Sequence, residues 1–457
     1  MKSSILGVAL FCAALTFAGQ AQTPQPDYSA LGREAVVELT TKQFDKVFAQ
    51  FNQKMAAALP AEKLAEVWTQ ILGQAGAFQR IETTTLETRE SYHIVTVACA
   101  FEKAELNINW SFDSEGHIAG LHFAPASESA ATEWTAPEYA DASKFHEEQV
   151  TVTDGHWRLP GMLTLPNGNG PFAAAVLVPG SGPSDEDETI GPNKPFKDLA
   201  WGLASRGIGA LRYAKRTKQY GAASGDDAES FTVKDEYIDD ARTAVALLAS
   251  RSDIDAKHIF VAGHSEGGYI APRIAAGDSQ IAGIVILEGN TRPMEKLVIE
   301  QLHYEANLGG PNAAQIEKLI PQAEEEAKTI DGPDLKPGMN VKLLGATVPA
   351  SYFLDLRGYD PAAVAGKLEI PIFIVQGGRD YQVTTADFAG WQKALAEHTN
   401  AKLKLYPTLN HLLIVGTGPS SPAEYARAGH VSGEVIADVV NWIISLPGFT
   451  LQRRPRN

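Results

Sequence analysis

The chain has 457 residues, with 39 Lys and Arg against 55 Asp and Glu, for a formal net charge of −16. Hydrophobic residues make up 44% and charged residues 21%, a globular composition that excludes extensive disorder. The acidic balance argues against nucleic acid or an anionic membrane as partner, since both require clustered Lys and Arg.

Residues 1–21 read as an export signal: Lys2 supplies the positive start, Ile5 to Phe17 the apolar stretch, and Gly19-Gln20-Ala21 the small-residue cleavage site. The apolar stretch is shorter than the roughly 20 residues of a membrane span. No later run reaches that length, so no membrane span is expected in the mature chain. Bulky Phe11 precedes Cys12, which therefore does not suit a lipoprotein anchor and leaves with the peptide. Cys99 remains alone, no intrachain disulfide forms, and the expected location is the bacterial periplasm or the medium.

Residues 28–78 carry helical periodicity: Val36, Val37, Phe44, Val47, Phe48 and Phe51 recur near helical spacing, as do Leu64, Val67, Trp68 and Ile71. Strand patterns follow over 79–123, as in Tyr92–Val97 and Leu106–Trp110. Together they predict a small α+β domain over 28–130. The periodicity fades around 124–147, in a stretch rich in Ala, Ser, Glu and Pro, and a linker is expected over 131–147.

From 148 to 457 short apolar strands alternate with helices. The strands include Ala173–Val178, Ile208–Arg212, His258–Ala262, Ile281–Leu287, Ile372–Gln376 and Leu403–Tyr406. That alternation predicts an α/β fold with a mainly parallel sheet covered on both faces. The long gap between Leu287 and Ile372 holds two amphipathic stretches, Met294–Asn307 and Asn312–Lys328. It is expected to form a cap over about 290–365, above the carboxyl edge of the sheet where such folds bind ligands.

Gly263-His264-Ser265-Glu266-Gly267 follows the strand His258–Ala262 and precedes a helix-like run. In that strand–turn–helix context the motif is a nucleophile elbow, with glycines where strand and helix approach closely and Ser265 exposed at the helix start. The alternative is a glycine-rich turn with a capping serine. A hydroxyl needs a base and an orienting acid. In the order Ser, acid, His, Asp380 follows the strand ending at Gln376 and His411 follows the strand ending at Tyr406. Asp380 also reads as a cap for the next helix, and His411 as an ordinary loop histidine. His430 is the reserve base. Backbone N–H groups of Ser181, in Pro179-Gly180-Ser181-Gly182-Pro183, and of Glu266 are the candidate oxyanion donors. Gly180, His264 and Tyr381 are candidates to line the pocket.

The acids Asp185-Glu186-Asp187-Glu188 lack the spacing of a calcium loop and read as a solvated surface run. No zinc pattern appears, and Gly-Ser-Gly lacks the Lys-Ser/Thr of a nucleotide loop. Neither metal nor cofactor is expected.

These segments, with Asp187–Phe196, Leu211-Arg212-Tyr213 and Lys215-Arg216-Thr217, resemble the α/β-hydrolase superfamily. Within it the chain resembles two-domain bacterial carboxylesterases whose small N-terminal domain has no known function. The resemblance spans roughly 30–450 and departs at Ala214, where the group often has Asp. It implies hydrolysis of small, short-chain acyl esters, with Ser265 as nucleophile, His411 as base and Asp380 as orienting acid. A serine peptidase or an acyltransferase would use the same residues, and a binding protein on a hydrolase scaffold is a further alternative. The net negative charge favours a neutral ester as substrate.

Overall fold

The computed structural model describes residues 26–89, 92–125, 134–225, 230–310 and 312–449. The export signal read over 1–21 lies outside them. The chain divides into two compact units between Ala130 and Ala131.

In the first unit four helices precede a meander. They are α1 (Tyr28–Thr40), α2 (Phe44–Ala49), α3 (Gln53–Ala58) and α4 (Ala61–Ala75). Asp27 starts α1 by accepting the Ala30 N–H, and Asn52 starts α3 by accepting that of Met55. Strands β1 (Phe78–Arg89), β2 (Tyr92–Phe101), β3 (Glu105–Phe112) and β4 (Ile118–Pro125) form an antiparallel sheet in sequence order. Val95, Val97 and Cys99 alternate inward on β2, and Ile108, Trp110 and Phe112 do so on β3. Leu64 and Trp68, one turn apart on α4, join the same core. There burial pushes the Cys99 thiol up to about 12.

The second unit is built on eight strands: β5 (Phe145–Asp154), β6 (Trp157–Pro166), β7 (Phe172–Val178), β8 (Gly209–Tyr213), β9 (Ile254–His264), β10 (Ile281–Leu287), β13 (Ile372–Gly377) and β14 (Ala401–Tyr406). Their order is β14-β13-β10-β9-β7-β8-β6-β5, all running one way except β6, which is antiparallel to β8 and β5 on either side. Two apolar layers sandwich this sheet. Ile259 and Val261 of β9 face one layer, with α7 (Asp240–Ala249) and α8 (Glu266–Ala275). Phe260 and Ala262 face the other, with α5 (Pro195–Ala204) and α14 (Gly433–Ser445). Burial on both faces is why these strands read as unbroken apolar runs.

Between β10 and β13 lies the expected insertion. It contains α9 (Met294–Asn307), α10 (Ala313–Asp331), the hairpin β11 (Asn340–Leu343) and β12 (Ala346–Pro349), then α11 (Ala350–Leu356) and α12 (Pro361–Ala365). Val298, Leu302, Ile320, Val341 and Phe353 give it a core of its own. The remaining helices are α6 (Arg216–Tyr220) and α13 (Thr385–Ala394), the latter capped by Thr384 rather than Asp380. A wider π turn, Lys234–Asp239, leads into α7.

The segment read as a linker belongs, from Trp134 onward, to the surface of the second unit. Trp134 Nε1 donates to Asp198 at 2.9 Å, the Asp141 N–H donates to Ser205 Oγ, and β5 begins at Phe145. Ala, Ser and Pro mask this docking because two aromatic rings, Trp134 and Phe145, make it by packing on Trp201. No helix among the described residues is long and apolar enough to cross a membrane.

Gly73 lies inside α4, and a Cβ added there meets nothing within 4 Å. Gly73→Ala should raise stability by about 0.5–1 kcal/mol by limiting the unfolded chain. A denaturant midpoint that stays put or falls would contradict the open setting of that face.

Candidate active site

Ser265 stands at the carboxyl end of β9 and opens α8, at φ 52° and ψ −119°. A non-glycine residue adopts this left-handed conformation only where its surroundings impose it. Here they do. A Cβ on Gly263 would overlap the Gly267 carbonyl, and one on Gly267 would overlap the Val178 carbonyl at the end of β7. Strand, turn and helix are therefore closer together than any side chain allows. The Ser265 N–H donates to Leu287 O at 2.9 Å, and Ser265 O accepts from the Tyr269 N–H at 2.9 Å. Ser265 is half-buried, and its Oγ makes no hydrogen bond to another described residue.

Asp380 follows β13 through Gly377 and Gly378. Their lack of a side chain answers crowding rather than a need for flexibility: added Cβ atoms would press on Leu409 O and on Pro407. Asp380 Oδ1 accepts from the Gln382 and Val383 N–H groups, at 2.8 and 3.0 Å. That leaves Oδ2 aimed at His411 Nδ1, 2.7 Å away. Asn410 Oδ1 accepts from the N–H groups of Leu412 and Ile414 and so shapes the loop that carries the imidazole. Both His411 and Asp380 are buried. No hydrogen bond joins Ser265 Oγ to His411, but their segments meet through His264, whose Nε2 donates to His411 O at 2.8 Å. His430 is committed elsewhere, with Nδ1 on Asp198 at 3.1 Å and its ring against Trp134.

The loop after β7 carries the other predicted donor. Ser181 and Glu266 both line a cavity of about 720 Å³ that continues beneath the β11–β12 hairpin, with Phe231, Val298, Val348 and Phe353 among its walls. Gly180, His264 and Tyr381, expected on the pocket wall, are placed differently. A Cβ on Gly180 would sit 3.0 Å from that of Ser265, so its space is filled by the elbow. His264 is buried between the Glu188 carboxylate, 2.9 Å from Nδ1, and the His411 carbonyl. Tyr381 stacks on Tyr304 of α9 at 5.1 Å and links the acid loop to the cap.

The acidic run is not a solvated face. Asp187 is buried and bound by Arg212 Nε at 2.7 Å and Lys194 Nζ at 2.8 Å. Glu188 is buried at φ 52°, and its Oε1 accepts the Gly180 N–H at 2.6 Å. These acids anchor the loop by binding the Gly180 amide and Lys194 within it and Arg212 of β8 beyond it. Glu288 was missed as well, although it directly follows β10, as acids at strand ends do in this fold. Its carboxyl accepts from the Gly377 N–H and from Gln376 Nε2, each at 2.6 Å. Burial, then the charge of Asp380 and a hydrogen bond with it, push the Glu288 carboxyl well above the usual carboxylate range. Among the described residues no group of three or more His, Cys, Asp or Glu is arranged to hold a metal ion.

Both partners of His264 only accept, so both ring nitrogens carry protons when the pair with Glu188 is charged. Burial alone would lower this imidazole, but Glu188, then the His411 carbonyl and Asp380, raise it above its ordinary value. A raised histidine contributes stability below its unfolded value and loses that contribution as pH rises through its folded value. Glu188→Gln should therefore cost more stability near roughly pH 6 than near roughly pH 9. Urea unfolding at the two pH values measures this, and equal losses would contradict the charged pair.

Known proteins match both units. A family model described as serine aminopeptidase, S33, matches residues 194–417, and one described as a protein of unknown function (DUF3887) matches residues 33–121. Esterase EstD of Thermotoga maritima is 38% identical over 420 residues, which cover 91% of this chain and 96% of that one. Among solved structures, Est1E of Butyrivibrio proteoclasticus aligns with 65% of this chain and 99% of its own, at 16% identity and a TM-score of 0.43. A Pyrococcus furiosus esterase aligns with 68% and 98%, at 16% identity and a TM-score of 0.42. Identity sustained over nearly the whole of both chains places this protein, with Esterase EstD, among the carboxylesterase-type hydrolases of the α/β-hydrolase superfamily.

Proposed function

We propose that the chain is an exported serine esterase that cleaves small, neutral, short-chain acyl esters through Ser265, His411 and Asp380. The observation that supports this most is the 2.7 Å bond from Asp380 to His411 Nδ1, on loops adjoining a serine held at φ 52°. In this reading His411 Nε2 takes the Ser265 proton as Oγ attacks the carbonyl carbon. Asp380 holds the ring with Nε2 turned outward and offsets the charge it gains. The N–H groups of Ser181 and Glu266 receive the oxyanion, and the Glu266 amide adds the positive end of α8. His411 then protonates the departing alkoxide and activates water, which releases the acid and restores Ser265.

A cavity of about 720 Å³ has room for a whole small ester rather than one end of a polymer. Export rests on Lys2, the apolar stretch and the Gly19-Gln20-Ala21 site. A second reading, a peptidase on the same residues, is favoured by the S33 description of the family model.

Ser265→Ala should lower kcat by about 10³-fold or more with the fold intact. Fluorophosphonate labelling should disappear with it. Nitrophenyl esters from acetate upward should be cleaved best at short chain length, and aminoacyl anilides hardly at all. A variant that keeps most of its activity would sink the assignment. Faster cleavage of the anilides would replace esterase by peptidase.

A further inference from the structure

A buried cluster behind the oxyanion loop has no role in the scheme above. Lys215, at the start of α6, is 1% exposed, and its ammonium has three partners. It donates to Gly180 O at 3.0 Å and to Tyr237 OH at 2.7 Å, and pairs with Glu236 Oε1 at 3.1 Å. The Tyr237 hydroxyl reaches the same Gly180 carbonyl at 2.8 Å and Glu266 Oε2 at 2.9 Å. Tyr352 OH joins the two glutamates from the cap side, 3.1 Å from Glu236 Oε2 and 2.9 Å from Glu266 Oε1. Burial, with Glu236 beside it, raises the Glu266 carboxyl although Lys215 pulls it down.

What this cluster holds is one peptide group. A trans peptide points its C=O and its following N–H in opposite directions. Lys215 and Tyr237 fix the Gly180 carbonyl on the cluster side, while Glu188 occupies the N–H of Gly180 itself. The Ser181 N–H is thereby turned the other way. Gly180 packs on Ser265, and Ser181 shares the cavity wall with Glu266. A cation hydrogen-bonded to a carbonyl also withdraws electron density through the amide and makes its N–H a stronger donor. Stability does not account for the arrangement, because a buried ion pair is often matched or bettered by apolar residues of similar volume.

We propose that Lys215 and Tyr237 are positioning residues for the oxyanion hole: they orient and polarise the Gly180–Ser181 peptide so that the Ser181 N–H meets the developing charge. This rests on the esterase reading of Ser265. The group acts through the peptide and touches no substrate atom. Its effect falls on the tetrahedral state and leaves the bound ester nearly untouched.

The test uses the full chain with Lys215→Met, which keeps the length and removes the charge, and Tyr237→Phe. Three quantities are measured: kcat and KM on nitrophenyl acetate, and Ki for a trifluoromethyl ketone that adds to Ser265 as a tetrahedral adduct. A whole oxyanion donor is worth about 10²–10³ in rate, so loss of its orientation and polarisation should cost about 10–100-fold in kcat for Lys215→Met. Tyr237→Phe should cost about 3–10-fold. KM should stay within about twofold, and Ki should rise by the same factor as kcat falls. A kcat near that of the wild type, or a fall in kcat with Ki unchanged, overturns the proposal. If circular dichroism shows that Lys215→Met does not fold, Tyr237→Phe decides by the same criteria. Ser265→Ala run in parallel separates the two levels. If it is inactive while both clamp variants behave as wild type, only the clamp fails. If it is active, the esterase reading fails and the clamp with it.

Discussion

The site depends on one steric fact: at the end of β9 the chain turns into α8 with no room for a side chain at Gly263 or Gly267. Gly267 abuts the carbonyls of Val178 and Pro179, so the turn also sets the distance to the loop after β7. With strand and helix that close, the intervening residue has only the left-handed conformation available, and Ser265 takes it at φ 52°. Such strain costs on the order of 1–3 kcal/mol and persists because the surroundings over-determine it. The helix that leaves the turn is buried along almost its whole length, and the turn's own backbone groups are hydrogen-bonded. The same geometry leaves the Glu266 N–H at a helix start, where no preceding carbonyl can take it.

The constraint is repeated on the neighbouring strands. Glu188 after β7 and Glu288 after β10 also lie at positive φ, 52° and 51°, on either side of Ser265. Neither residue type prefers that region, and both are buried, so their carboxyls are turned inward by the backbone. Several buried acids around one serine would repel each other and the developing oxyanion if all were charged. The structure separates their states by partner. Glu188 faces the His264 imidazole, and burial beside Asp380 raises the Glu288 carboxyl. Glu266 is raised by burial, while Glu236 has Lys215. Asp380 alone accepts both a backbone pair and the His411 ring.

How much of this was legible follows from where each signal sits. Ser265, Asp380 and His411 each come just after an apolar strand run, so short local patterns in a known order expose them. The Ser181 and Glu266 amides follow from the same strand ends. Glu288 obeys the identical rule, but Asp380, which also fitted the order, drew attention from it. Asp187 and Glu188 were misread because a charge run looks solvated until Arg212, Lys194 and His264 are brought to it through the fold. Lys215 was hidden likewise: in Lys215-Arg216-Thr217 it looks like surface basicity, and only the packing of β8 and α6 buries it. Local periodicity reports which strand ends face the site. Pairing across 25 to 76 residues leaves no local trace.

The cap bears on how the proposed esterase would select between esters. Its two ends are fastened to the hydrolase sheet. Arg292, just after β10, binds the fully buried Asp387 at 2.7 Å, and Arg273 of α8 binds Asp355 of α11 at 2.7 Å. Tyr359 adds a bond to the Tyr269 carbonyl at 2.9 Å. Swinging the whole insertion away would break these ion pairs and leave the buried Asp387 unpaired, which is costly. The hairpin β11–β12 is different, because it is two short strands with Leu344 46% exposed at its turn. Isolated two-stranded ribbons are marginal by themselves. Its residues Leu343 and Val348 nevertheless form part of the cavity wall beside the Ser181 and Glu266 amides. The cavity wall thus combines side chains of the fastened helices, such as Val298 and Phe353, with those of the ribbon. On the proposed esterase reading, selection by acyl size would fall to the side chains that line the cavity, those of 340–349 among them, rather than to Ser265, His411 and Asp380.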